Sequence, residues 1–168
     1  MGLYIGIDPG LHGSVAAVSD TGAVIKLVDT PITQVKYGKK NKNVYVESEM
    51  VSILSSLNVD GAHLAIEKQF PMRGQGVSST FSTGYGFGLW VGIATALKIP
   101  FELITSQRWK KVMMEGAAKE KAASCVVAQR LYPDAELFTK RGRAIDGRGD
   151  ALLIGTYLMR TVNADTRP

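Results

Sequence analysis

Leu3-Tyr4-Ile5-Gly6-Ile7-Asp8-Pro9-Gly10 is an apolar, β-forming run closed by a carboxylate and a Pro-Gly turn. Continuous apolar runs of this length suit a strand buried on both faces. Asp8 stands where the pattern asks for another hydrophobe or a plain turn residue. Leu64-Ala65-Ile66-Glu67-Lys68 repeats the design and ends its apolar run on Glu67. Working outward from the first run, residues 14–18 follow a short Gly-containing loop and predict the return strand of a hairpin. Asp20-Thr21-Gly22 then turns the chain into a third strand at 23–28.

Beyond this meander, residues 31–46 are basic and polar, with Gly38 and Asn41 and no apolar period, and predict a mobile loop. Met50, Val51, Ile53, Leu54 and Leu57 share one helical face over 47–57, and 63–67 reads as a strand parallel to the first. Pro71, Gly74 and Gly76 make 69–78 a loop, and 79–98 reads as helix although Gly84, Gly86, Gly88 and Gly92 lower its propensity. A fifth strand is expected at 101–104, with helices at 106–114, 118–131 and 146–160. Three strands in a meander, then helix, strand, helix, strand and helices, make an α/β domain with a five-stranded mixed sheet flanked by helices. The order is ribonuclease H-like.

At 168 residues with 45% hydrophobic content, the chain carries one core, and we expect a single domain over 1–168. The apolar stretch 89–97 is far short of the roughly 20 residues that span a bilayer. No membrane association or secretory leader is expected, and the chain is read as cytoplasmic. One cysteine, Cys125, excludes an internal disulfide framework and cysteine-rich zinc sites; it and His63 are read as packing residues. A net charge of +5 leans toward a polyanionic partner, with basic residues gathered at 36–42, at Arg108, Lys110 and Lys111, and at Lys140, Arg141, Arg143 and Arg148.

Adjacent parallel strands would bring Asp8 and Glu67 out at one sheet end. Asp146 and Asp150, spaced i and i+4, share a face of the last helix and can approach the same end. Packed like charges repel and are best tolerated around divalent cations, and oxygen-only donors select Mg²⁺ or Mn²⁺. Two such ions roughly 4 Å apart suit phosphodiester hydrolysis. Each acid taken alone also has a structural reading, as turn residue, strand cap, helix N-cap or dipole partner.

GIDPG with Asp8, AIEKQF with Glu67 and GRGDALLIGTY with Asp150 together resemble the RuvC family of Holliday-junction resolvases. GYGFGLWVGI at 84–93 and DTP at 29–31 resemble in particular the branch that includes the chloroplast resolvases of plants. There GRGDALL is similar to GRAEALL, so Asp150 stands where that branch carries Glu. The family spaces its last two acids three residues apart; here they are four apart.

The resemblance implies a dimeric endonuclease that cuts four-way junctions by two symmetric, Mg²⁺-dependent hydrolyses, leaving 5′-phosphate and 3′-hydroxyl ends. Asp8, Glu67, Asp146 and Asp150 would hold two Mg²⁺ ions, with Mn²⁺ as substitute. Lys119 or Lys121 would face the scissile phosphate, and Phe70 would sit beside unpaired bases. Arg73 and Gln75 in the 69–78 loop, with Lys121, Lys140, Arg141, Arg143 and Arg148, would contact DNA. His12 is a weaker phosphate candidate. Gly88 and Gly92, with Leu89, Trp90 and Ile93, would pack helix on helix in the dimer or lie flat on the chain's own sheet.

GIDPG is also similar to the phosphate-binding start of sugar kinases and actin-like ATPases, but these need a second lobe. No GxxxxGK[ST] is present and the Gly84 series misses the GxGxxG spacing, so no nucleotide cofactor is expected. A non-catalytic junction-binding protein and a nuclease acting on RNA/DNA hybrids stand as alternatives.

Overall fold

A computed structural model describes residues 2–117, 120 and 122–165. The chain runs β1 (Leu3–Asp8), β2 (Ser14–Ser19), β3 (Val24–Asp29), β4 (Ile32–Tyr37), β5 (Lys40–Tyr45), α1 (Glu47–Leu57), β6 (Ala62–Glu67) and α2 (Val77–Ala96). It continues through β7 (Phe101–Ile104), α3 (Ser106–Met113), α4 (Ala123–Leu131) and α5 (Asp146–Asp165). The main sheet has the order β3-β2-β1-β6-β7, with β1 antiparallel to β2 and parallel to β6. The expected five-stranded mixed sheet flanked by helices is therefore present.

Alternation along the central strands explains its two covered faces. Leu3, Ile5 and Ile7 of β1, Val15 and Ala17 of β2, and Leu64 and Ile66 of β6 pack with Met50 and Leu54 of α1 and Trp90 and Ile93 of α2. On the opposite face Tyr4, Ala16, Val18 and Ala65 meet Trp109 of α3, Cys125 and Ala128 of α4, and Leu152 and Leu153 of α5. Side chains of period two thus feed two cores through one sheet.

The α5 helix lies on β1 with almost nothing between them. A Cβ on Gly6 would collide with the Ala151 carbonyl and the Gly155 amide, and one on Gly147 with the His12 carbonyl. Only glycine at these positions permits so close an approach. The first turn of α5 is thereby laid over the loop that follows Asp8.

Residues 31–46 correct the expectation of a mobile loop: β4 and β5 form a regular hairpin whose ladder runs from Ile32↔Tyr45 to Tyr37↔Lys40. Gly38, at φ +61°, takes the first central place of a two-residue turn, which needs a positive φ there. Threonine, valine and tyrosine supply the β preference, and the lysines between them hide it from a search for apolar period. A lone hairpin is marginal in water. This one is fastened at its base, where buried Tyr45 donates from its hydroxyl to the Ser82 carbonyl at 3.1 Å. Gly86 makes room for the ring, since a Cβ there would strike the Tyr45 hydroxyl.

The last helix extends beyond the expected 160 to Asp165, and α4 accounts for 123–131 of the expected 118–131, of which 118, 119 and 121 lie outside the described residues. Cys125 is buried as expected and its thiol donates to the Ile145 carbonyl at 3.4 Å, whereas His63 is exposed and stacks on Tyr4 at the sheet margin, centroids 5.4 Å apart. Among the described residues no helix is long and apolar enough to cross a membrane.

Candidate active site

The parallel register places Ile7 beside Ile66, so the next residues, Asp8 and Glu67, leave the same end of adjacent strands. Neighbouring strands lie about 4.8 Å apart, which brings the two carboxyls together without help from any loop. Asp150 arrives from α5, one residue before the Ala151 carbonyl that touches Gly6, and Asp146 opens the same helix one turn earlier. Glu67 is buried, and Asp8, Asp146 and Asp150 are partly buried.

Electrostatics record the crowding. Burial, followed by the charges of Asp150 and Glu67, raises the Asp8 carboxyl to about 7, against a Gly10 backbone hydrogen bond and Lys110, which pull it down. Burial and then Asp150 raise Glu67 to about 7 as well. Asp150 is pushed up by burial and by Asp146, with Ser124 and Lys110 opposing. Even the Cys125 thiol, beneath Gly149, is raised to about 11 by burial and by Asp146 and Asp150. Such paired and desolvated carboxyls are a common mark of a working site.

Two oxygens in the cluster lack what buried oxygens normally have. Oδ1 of Asp146 and Oδ1 of Asp150 are buried without a hydrogen-bond partner among the described residues. Orphaned carboxylate oxygens carry a desolvation cost unless a cation or donor arrives. The donor set is oxygen alone, which suits a hard divalent ion. Among the described residues no three acids, histidines or cysteines stand close enough to form a finished metal cage. Mg²⁺ seldom asks for one, because it keeps several waters and takes one or two carboxylates together with substrate phosphate. The acids therefore fit a divalent ion in donor type and in unsatisfied oxygens.

The other expected site residues divide into groups. Lys119 and Lys121 lie outside the described residues. Phe70 is 53% exposed, with the Lys68 ammonium 5.1 Å from its ring centroid, so it does not serve the core. Arg73 is exposed on the same loop. Gln75 is turned inward: its carbonyl accepts from the Met72 amide at 3.3 Å and its amide donates to the Ser79 hydroxyl at 3.2 Å, so it ties the loop to α2. Lys140, Arg141 and Arg143 are exposed around a turn in which the Thr139 amide donates to the Arg143 carbonyl at 2.8 Å. Arg148, expected among the DNA contacts, commits its guanidinium to Asp29 and to the Glu136 carbonyl, 2.9 Å away. His12 is exposed beside the first turn of α5.

Lys110 is a site residue that sequence reasoning left in a general basic cluster, although it is the cation that acts on Asp8, Glu67 and Asp150 alike. It follows buried Trp109 on α3 and its ammonium stands 5.0 Å from that indole's centroid. Its place just after a core tryptophan, at the margin of the helix's buried face, was the available signal. The Trp109 ring is itself buried, and its N–H completes no hydrogen bond among the described residues. On α2, Trp90 is fully buried and belongs to the core, whereas Gly84, Gly88 and Gly92 face open space.

The fold that carries these acids has counterparts among solved structures. A structure described as T. thermophilus RuvC in complex with Holliday junction substrate superposes with a TM-score of 0.59 at 15% identity, covering 99% of this chain and 98% of that one. The chain has the RuvC fold. A second structure, of Thermus thermophilus RuvC, superposes with a TM-score of 0.57 at 14% identity over 95% of this chain and 96% of the other. No family model and no curated protein matches the sequence. With about one residue in seven shared, the RuvC likeness is one of architecture, and it covers nearly the whole chain of each.

Proposed function

We propose that the chain is a single-domain, divalent-metal-dependent endonuclease that cuts four-way DNA junctions as a homodimer. The gathering of Asp8, Glu67 and Asp150 at one end of the sheet, with Asp146 beside Asp150 and two buried oxygens left unpartnered, carries the proposal. The RuvC fold, found also in a protein solved with Holliday junction substrate, and the quoted motifs support the choice of DNA substrate. The motifs at 84–93 and 29–31 are the basis for placing the chain near the plant chloroplast branch.

The four acids would hold the ions, and bound Mg²⁺, with Mn²⁺ as substitute, would supply a lowered water pKa and charge stabilisation at the leaving 3′ oxygen. Asp8 and Glu67, fixed to strand ends, orient what they bind with little freedom of their own. Asp150 reaches the same place from a helix that cannot shift without separating Gly6 from Ala151. Lys110 offsets carboxylate charge before substrate enters and lies where it can face a phosphate. Exposed Phe70 and Arg73 would meet DNA at the rim.

Paired cuts need two active sites, and α2 offers the surface for a second copy. Gly84, Gly88 and Gly92 form an open stripe beside an apolar groove of about 530 Å³ lined by Val51, Leu89 and Ile93. Small residues let helices approach closely along such a stripe.

The decisive assay incubates the purified protein with Mg²⁺ and a labelled four-way junction, linear duplex or RNA/DNA hybrid, with Asp150→Asn as control. Paired symmetric nicks restricted to the junction, leaving 5′-phosphate and 3′-hydroxyl ends and absent from the variant, are expected. Binding without cutting in Mg²⁺ and in Mn²⁺ would replace the proposal with a structural role. Cleavage of the hybrid alone would move it to a ribonuclease.

A further inference from the structure

Beside the acid cluster lies a second cleft, of about 900 Å³, between the β4–β5 hairpin and the first turns of α2. Its lining includes Gly10, Leu11 and His12, the segment that follows Asp8, so the cleft adjoins the site along the chain. Hydroxyls of Ser78, Ser79 and Ser82 line one wall, and Gln34, Asn43 and Lys42 the other. No acid lines it, which makes it a poor cation site. Leu11 and Tyr45 are its large apolar side chains, and the remaining lining residues are polar or glycine.

The hairpin is basic: residues 32–45 contain Lys36, Lys39, Lys40 and Lys42 and no acid, and of these lysines Lys42 lines the cleft. Across from it, α2 is capped at its start by Gly76, which has no side chain to accept from the amides of the first turn. Those amides and the positive end of the helix dipole favour an anion. Neutral hydroxyl and amide donors, a lysine and free helix amides are the groups that grip a sugar–phosphate backbone without reading bases. A cleft of this volume, open to solvent, has room for several nucleotides of a strand rather than a single phosphate group.

We infer that this cleft is a track for one DNA strand leaving the catalytic acids, with the hairpin as its cationic wall. The inference rests on the junction-nuclease reading and adds to it a binding surface made by the hairpin. The track holds backbone, so it contributes affinity and orientation and leaves sequence preference unchanged.

Equilibrium binding of a fluorescent four-way junction, a duplex and a single strand is measured in EDTA across a salt series, so that no cutting intervenes. Lys42→Ala should weaken junction binding roughly fivefold to tenfold and lower the slope of log K against log salt by about 0.7 to 0.9. Ser78→Glu should weaken binding at least as much, and it keeps the fold under control because an acid in the first turn stabilises α2. Lys98→Glu, at the far end of α2 and about 30 Å away at 1.5 Å per residue, should bind like the wild type. Wild-type affinity and slope in both cleft variants would overturn the track and leave the junction reading standing. An equal loss in Lys98→Glu would also overturn it, as general charge. Failure of the wild type to bind any of the three DNAs would overturn both.

Discussion

Arg148 grips Asp29 with two hydrogen bonds, Nε to Oδ1 at 2.7 Å and Nη2 to Oδ2 at 3.0 Å, across 119 residues of sequence. One partner closes the third strand and the other sits in the first turn of the helix that bears Asp146 and Asp150. The clamp therefore sets where that helix begins relative to the sheet. Lysine cannot reproduce a two-pronged bond. Because Asp29 is half exposed, Arg148→Lys should cost only about 1 kcal/mol, a fall in Tm of roughly 2–4 °C for a chain of this size. Nicking of the junction should fall further than that stability loss explains, and comparing a thermal melt with initial rates tests this.

Replacing acids should separate function from stability. Asp8→Asn and Glu67→Gln remove charge from a crowded, buried cluster, so each should raise Tm in EDTA while lowering cutting by roughly 10²- to 10³-fold or more. Junction affinity should hold or rise, because less negative charge faces phosphate. A variant that cuts at the wild-type rate would remove that residue from the ligand set.

The raised carboxyls also predict how stability follows pH without metal. Asp8 and Glu67 titrate near 7 in the folded chain and at ordinary values of 3.8 and 4.5 otherwise. Between these limits the folded state holds more protons than the unfolded one, so the contribution of these two groups to stability is greatest below about 4 and declines as pH rises to about 7. Denaturant melts in EDTA should show that decline, and Asp8→Asn should flatten it. Mg²⁺ should restore stability chiefly at pH 7 and above, since it binds the ionised acids. Stability rising steadily over the same range would contradict the burial of these groups.

Lys110→Ala should slow nicking by roughly 10²-fold while leaving the thermal melt nearly unchanged, because the ammonium is exposed and its loss opens no cavity. Arginine at the same place should recover part of the rate. Single-turnover kinetics at saturating enzyme keep this effect apart from weaker binding.

Gly88→Glu tests the dimer. A side chain there meets no atom of its own chain, and replacing an exposed helical glycine generally favours the helix. The variant should fold, bury a charge in any helix-to-helix contact, and sediment as a monomer under conditions where the wild type is a dimer.

The strands that carry Asp8 and Glu67 were plain in the sequence because each is an apolar run broken by one carboxylate, and the crossover helix between them showed its period through Met50, Leu54 and Leu57. The convergence of Asp150 was legible as spacing on a helix and through the resemblance carried by GRGDALLIGTY. What brings it in is Gly6 against Ala151 and Gly155, and a glycine announces no partner. The hairpin at 32–45 went unseen because its face is exposed and lysines interrupt the β-formers. Arg148 read as one more cation in a basic run, since nothing local to it points to Asp29. Lys110 was likewise hidden among Arg108 and Lys111, where only the buried face of α3 tells them apart.

The close seating of α5 on β1 means that the residues most sensitive to change near the acids are ones that carry no chemistry. A methyl group added at Gly6 or Gly147 would lift the helix from the sheet and move carboxylates that the substitution never touched. An inventory of reactive side chains would pass over both positions. Searches for distant relatives or for tolerated variants should weigh these empty places as heavily as the acids themselves.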